Sequence, residues 1–246
     1  MEELKNFKVK RITPKSLESK GLSEYHSLEE HLNHARKVLV GIGQEWHIDG
    51  VAQGSDGFPD SDTKNRIMQA YEMLYQMIKD KDYFIVTANT DAIIFQSPIN
   101  GSRITAPCGN VTWRQCGESC TKDIWEPGEI PDDICPHCGS KMTGNTIEAK
   151  NYIEEGYLPQ WRVYTQWLAS TRNQDVLILE LGVGFKVPTV IRWPFERTVR
   201  YNGKSFLYRV NERFAQLAEG IQERAVSVKM NSVEWVQSYH LPDASK

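Results

Sequence analysis

The sequence predicts an α/β fold, a Rossmann-like doubly wound parallel sheet with a small zinc-ribbon module inserted into it, and three observations carry that prediction. Short apolar, β-branched runs alternate with segments of helical period along the chain. Two of those runs end in glycine turns, Val40-Gly41-Ile42-Gly43 and Glu180-Leu181-Gly182-Val183-Gly184. One central stretch, from about Trp113 to Asn145, breaks the alternation and holds four of the five cysteines.

Taken in order, Leu28 to Arg36 reads as a helix and Lys37 to Ile42 as the first buried strand. In Thr63 to Lys79 the apolar residues Ile67, Tyr71, Leu74 and Ile78 recur at helical spacing and form one stripe. Tyr83 to Ala88 follows as a strand that ends in the polar turn Thr87-Ala88-Asn89-Thr90-Asp91. After the insertion come a helix at Tyr157 to Ser170, strands at Val176 to Leu181, Thr189 to Trp193 and Phe206 to Val210, a helix at Glu212 to Gln222, and a strand at Ala225 to Met230. Residues past Tyr239 read as a loose tail. Strands alternating with helices require right-handed crossovers, and the ligand crevice of such a sheet lies at the carboxyl ends of its strands. The domain reading is therefore 1–112 with 146–246 as the sheet domain and 113–145 as the module.

With 246 residues, 40% hydrophobic and 25% charged, the chain has the composition of one globular domain with a packed core. A net charge of -3 offers no long-range attraction to phosphate backbones or anionic lipid, so neither nucleic acid nor membrane is an expected partner. Met1 to Lys10 is charged and no run approaches ~18 apolar residues, which points to a cytoplasmic location.

Cys116 and Cys120 form one close pair, and Cys135 and Cys138, in Cys-Pro-His-Cys-Gly, form a second. Two such knuckles supply four thiolates to one tetrahedral zinc, with glycine permitting the tight turn. Four thiolates leave no open position for water, so the expected role is structural. His137, inside the second knuckle, is expected at the surface or behind the ligands.

The glycine turns permit backbone amides to approach a pyrophosphate, although each alone is better explained by chain reversal. In combination and order, Val38 to Gly43, Val86 to Asp91, the cysteine quartet, and Leu179 to Gly184 followed by Pro188 and Pro194-Phe195-Glu196 resemble the sirtuins, in particular the divergent bacterial branch that includes macrodomain-linked ADP-ribosyltransferases. The resemblance spans roughly Ala35 to Met230. It implies NAD as cofactor, cleavage at the nicotinamide–ribose bond, and transfer of ADP-ribose to a protein acceptor or to the acyl group of an acyl-lysine. It also implies that Gly41, Ile42 and Gly43 face the phosphates, Asn89 and Asp91 the nicotinamide ribose, Gly182, Val183 and Gly184 the adenosine side, and Asn211 the adenine or its ribose.

Departures from the sirtuin pattern set the alternatives. Glu45 stands where a Ser is usual, and the nicotinamide loop is not recognisable in Trp46 to Phe58. Cys108-Gly109 occupies the place of the catalytic His-Gly. Cys108 is then a small structural residue, a thiolate base, or an ADP-ribose acceptor, with Asp91 expected to raise its pKa. The competing readings are an ADP-ribosyltransferase or weak deacylase, and a degenerate module that binds NAD or ADP-ribose without turnover. His47, just after the first glycine turn, is a lesser candidate.

Overall fold

A computed structural model describes residues 21–50 and 61–240. The readings made on Met1 to Lys10, on the part of Trp46 to Phe58 after Gly50, and on the tail after His240 lie outside the described residues.

Six parallel strands form the main sheet in the order β3-β2-β1-β6-β7-β8. They are β1 (Lys37–Ile42), β2 (Asp82–Thr87), β3 (Ile104–Thr105), β6 (Val176–Leu181), β7 (Phe206–Val210) and β8 (Ala225–Val228). The chain builds outward from β1 to β3, returns to lay β6 on the other side of β1, and builds outward again. That reversal places a topological switch point between β1 and β6.

Period-2 alternation gives each strand two apolar faces, as a sheet covered on both sides requires. Val38, Val40, Ile85, Leu177, Leu179 and Tyr208 point into one core. That core is closed by α1 (Leu28–His34), α2 (Ser61–Ile78) and α5 (Ser232–Gln237). Leu39, Phe84, Val86, Ile178 and Leu207 point into the other, closed by α3 (Leu158–Ala169) and α4 (Arg192–Tyr201). The start of α1 is fixed by a capping box, in which Ser27 Oγ accepts from the Glu30 amide and the Glu30 carboxylate accepts from the Ser27 amide.

On the α4 side, two positions of this second face carry charge. Glu180 and Arg209 are register partners on β6 and β7. The guanidinium donates to both carboxylate oxygens, Nε at 2.7 Å and Nη2 at 2.9 Å, and it also pairs with Glu196 of α4 at 2.8 Å. Arg192, in the first turn of α4, reaches Glu180 at 3.4 Å. Glu180, Arg209 and Arg192 are 1%, 0% and 2% exposed, so the charges survive through this mutual pairing and through bonds from the guanidiniums to backbone carbonyls.

This network overturns two sequence expectations. Thr189 to Trp193 is not a strand. Ile191 is buried and Arg192 starts α4, with Pro194 in the first turn, where its missing N–H costs nothing. Glu212 to Gln222 is not a helix among the described residues. The carbonyls of Phe214 and Gln216 accept from Arg192 at 3.0 and 3.1 Å, Gln216 also accepts from Arg209 at 2.9 Å, and Ala215 accepts from Ser227. Arginines and a serine thus take the bonds that a helix would make with itself.

In the insertion, β4 (Gly109–Cys116) and β5 (Met142–Thr146) pair antiparallel as a separate ribbon. Its core is only Cys116, Cys135 and Met142, flanked by Trp125 and Ile130. A core this small imposes no apolar period on its strands, so neither was legible.

Replacing Arg209 with Met strands the buried Glu180 carboxylate. We expect urea unfolding to show a loss of about 3–5 kcal/mol. The double variant Glu180→Leu/Arg209→Met should recover most of it. A double variant as unstable as the single would show that the ion pair is not the reason.

Candidate functional site

At the carboxyl ends of β1, β2, β6 and β7 lies a cavity of about 780 Å³. Its walls come from four turns, 44–49 after β1, 88–91 after β2, 182–187 after β6 and 211–214 after β7, together with Cys108, Val111, Ile147, Glu148 and Asn231. Of the residues expected at a ligand, Asn89, Asp91, Cys108, Gly182, Gly184 and Asn211 line it.

Gly41, Ile42, Gly43 and Val183 do not. Gly41 is inside β1 on the face that meets α4. A Cβ there would collide with Ile191 and stand 2.7 Å from Phe195, so this glycine permits close helix packing. Ile42 is fully buried in the opposite core. Gly43 lets the first turn abut the backbone of Gly182 and Val183, where any Cβ would overlap. Its carbonyl accepts from Asn89 Nδ2 at 3.0 Å. Val183 packs in the core, and its carbonyl accepts from Arg192 at 3.2 Å and from Asn211 Nδ2 at 3.2 Å. These four build the crevice from behind.

Several polar groups at the crevice are already committed. Asp91 accepts the Ile48 amide at 2.9 Å and the Ile93 amide at 3.2 Å, which clips the first turn to the second. The Asn211 side-chain Oδ1 accepts from the Arg213 and Phe214 amides at 2.9 and 2.7 Å. Asn89 differs: with Nδ2 bonded to Gly43, its Oδ1 is buried and has no partner among the described residues. A buried, unmatched acceptor at a cavity wall favours a ligand that donates there.

Glu45 is the residue whose role sequence reasoning missed. Its carboxylate turns toward the Glu212 amide at 2.8 Å, and toward the Ser232 amide at 2.7 Å and hydroxyl at 2.6 Å. It therefore ties the first turn to the ends of the chain beyond β7 and β8, and its charge is met by donors. Sequence offered one hint, an acidic residue directly after a glycine turn. Lys186 and Arg213, two basic residues on the crevice wall, were also missed.

Cys108 is 1% exposed, and burial pushes its thiol up to about 11, with Lys186 pulling weakly the other way. Desolvation, not Asp91, is what raises it. The side chain is a neutral thiol at neutral pH.

The four Sγ atoms of Cys116, Cys120, Cys135 and Cys138 lie within 4.8 Å of one another. Cys116 and Cys138 approach to 3.5 Å, as do Cys120 and Cys135, too far for disulfides. A tetrahedron of sulfurs ~2.3 Å from a metal has edges of ~3.8 Å, so the cluster fits a tetrahedral thiolate site. Gly139 closes the second knuckle at φ 76°, donating to the Cys135 carbonyl at 2.9 Å. His137 is outside the cluster, exposed, and 2.9 Å from Asp123.

No protein-family model matches the chain. It is 24% identical over 176 residues to a Staphylococcus aureus protein named "Protein ADP-ribosyltransferase", covering 64% of this chain and 56% of the relative. It is 28% identical over 170 residues to a Fusarium oxysporum f. sp. cubense protein named "Probable bifunctional ADP-ribose hydrolase/ADP-ribosyltransferase", covering 57% of this chain and 28% of that one. The chain thus spans about half of the first relative and little more than a quarter of the second. Among solved structures it superposes on a Sir2 homologue in complex with ADP-ribose, with a TM-score of 0.56 at 12% identity, over 86% of this chain and 94% of that one. A second, a Sir2 homologue in complex with NAD, gives 0.51 at 12% identity over 86% and 91%. The chain therefore has the sirtuin fold. No described helix is long and apolar enough to cross a membrane.

Two glycines separate building the crevice from lining it. Gly182 has φ 67°, and a Cβ there would stand 2.6 Å from Glu45 Cβ, whereas at Gly184 the nearest atoms are 3.4 Å away or more. Thermal melting should show Gly182→Val losing at least ~2 kcal/mol and Gly184→Val within about 0.5 kcal/mol of wild type. Equal losses would contradict the assignment.

Proposed function

We propose that the crevice binds NAD and that the chain carries an NAD-dependent ADP-ribosyltransferase activity toward a protein acceptor. The switch-point crevice with the unpartnered Asn89 Oδ1 carries this reading, and the similarity to proteins named ADP-ribosyltransferases supports it. NAD, when bound, supplies an activated ribose whose bond to nicotinamide breaks with development of oxocarbenium character.

Within this reading the chain's residues position and stabilise. Asn89 Oδ1 accepts a hydrogen bond from a ribose hydroxyl or the carboxamide. Asp91, near the same wall, holds the turn in place through Ile48 and adds negative potential toward a developing cation. The glycine turn at Gly182 and Gly184 brings backbone close to the pyrophosphate, and Arg213 supplies positive charge on that wall, where Lys186 is paired with Glu148 at 3.4 Å. Gly41, Ile42, Gly43 and Val183 are assigned no ligand contact, and Asn211 shapes the adenosine end through its loop.

Lysine deacylation requires a group that takes a proton, and Cys108 is a poor one with its thiol held near 11. Transfer to an acceptor depends more on position and charge. The same neutral thiol, with Asp91 spent on backbone amides, is what favours the second reading, a module that binds NAD or ADP-ribose without turnover.

We assign the cysteine cluster to one structural zinc, held by Cys116, Cys120, Cys135 and Cys138. It would do no chemistry and would close the module's small core. Elemental analysis should find one zinc per chain, and Cys135→Ser should lose it and open 113–145 to protease. Full zinc content in that variant would remove Cys135 from the ligand set.

Paired assays of nicotinamide release and of peptide deacylation test the activity. Wild type should release nicotinamide in the presence of a suitable acceptor without deacylating an acyl-lysine peptide. Asn89→Ala should lower release by about 10²-fold. Cys108→Ala should leave the pH profile unchanged between about pH 6 and 9, because a thiol with a raised pKa stays protonated there. Robust deacylation would overturn the transfer reading, and NAD binding with no release would favour the silent module.

A further inference from the structure

A second cavity, of about 470 Å³, lies on the far side of the Cys108–Thr112 segment from the crevice, between the cysteine module and the N-terminus of α3. Phe95, Trp113 and Tyr157 give it aromatic walls, with the Phe95 and Trp113 rings 6.1 Å apart. Its non-aromatic polar side chains are Gln96, Asn110, Thr112, Glu126 and Gln160, and Asn110 Oδ1 is already taken by the Thr112 amide and hydroxyl at 2.8 Å. Gln160 Oε1 is buried without a partner. The Glu126 carboxylate stands at the exposed rim and forms no ion pair among the described residues. Behind the wall at Gly156 a further buried acceptor, Asn145 Oδ1, is also unpartnered. Among the described residues no Lys, Arg or His lines the cavity.

Aromatic faces, an uncompensated carboxylate and a buried acceptor with nothing to accept make a site for a cation that also donates hydrogen bonds. A flat donor suits it better than a compact one. A guanidinium stacks on aromatic rings and presents a rigid fork of N–H groups, whereas an ammonium is a strongly hydrated point charge. The surrounding module carries Glu118, Asp123, Glu129 and Asp132, so the field outside the cavity draws in the same sign of ligand.

We propose that this cavity is a recognition site for an arginine side chain of a partner protein, with Trp113 and Tyr157 flanking the guanidinium, Gln160 Oε1 accepting from it inside, and Glu126 pairing with it at the rim. The site works whatever the larger crevice binds.

Titration calorimetry of the purified protein with the peptide acetyl-Gly-Arg-Gly-amide tests this. One saturable site is expected. The citrulline peptide, isosteric but neutral, should bind about tenfold more weakly, and the lysine peptide should fall between them. Gln160→Met and Glu126→Gln should each weaken the arginine peptide by about fivefold or more, with melting temperature and zinc content unchanged. No saturable binding, equal binding of the citrulline peptide, or wild-type affinity in either variant would overturn the proposal. Binding of agmatine with the peptide silent would reassign the site to a small free cation and overturn the protein partner.

Discussion

The buried ion-pair network between β6, β7 and α4 is the constraint on which the crevice rests. Glu180 and Arg209 face each other across adjacent parallel strands, and Arg192 enters from the first turn of α4. Removing such charges from water costs several kcal/mol for each ion, and pairing alone seldom does more than offset that cost. What the network gains is placement. The same two guanidiniums hold the carbonyls of Val183, Phe214 and Gln216, fixing the turns after β6 and β7 as irregular chain at the switch point. A helix from Glu212 onward would have consumed those carbonyls and drawn the loop away.

A second clamp works from the other side. Glu45 gathers amides from Glu212 and Ser232, and Asp91 gathers those of Ile48 and Ile93. Acids that sequence places beside a bound dinucleotide are thus consumed in joining turns to one another. Left for a ligand are Asn89 Oδ1, the open flank of Gly184, and Arg213 at the wall, since Lys186 pairs with Glu148 of the same wall at 3.4 Å. Such a crevice recognises mainly through backbone and shape, and the neutral Cys108 beside it accords with chemistry that positions rather than deprotonates.

Much of the architecture was legible because its signals are local. The strands at Lys37, Tyr83, Val176 and Phe206 are buried on both faces and so read as continuous apolar runs, and α2 announced itself by one stripe. The cysteine spacing likewise anticipated the cluster. Illegible features were those decided by partners distant in sequence. Ile191 and Arg192 look like strand residues until Gly41 and Glu180 are known to lie beneath them. The glycines of the first turn look like phosphate binders, yet Gly41 answers to Phe195 and Gly43 to the turn at Gly182. Pattern located the crevice, but the division between residues that line it and residues that brace it depends on contacts that no period encodes.

In the proposed NAD site, Asn89 and the turn at Gly182 to Gly184 meet the ligand. A crystal structure of the protein soaked with NAD or ADP-ribose tests this most directly. A dinucleotide or its product is expected along the carboxyl ends of β1 and β6, with a donor on Asn89 Oδ1 and the pyrophosphate against the backbone near Gly184. A ligand seated elsewhere, or an empty crevice at saturating concentration, would contradict it.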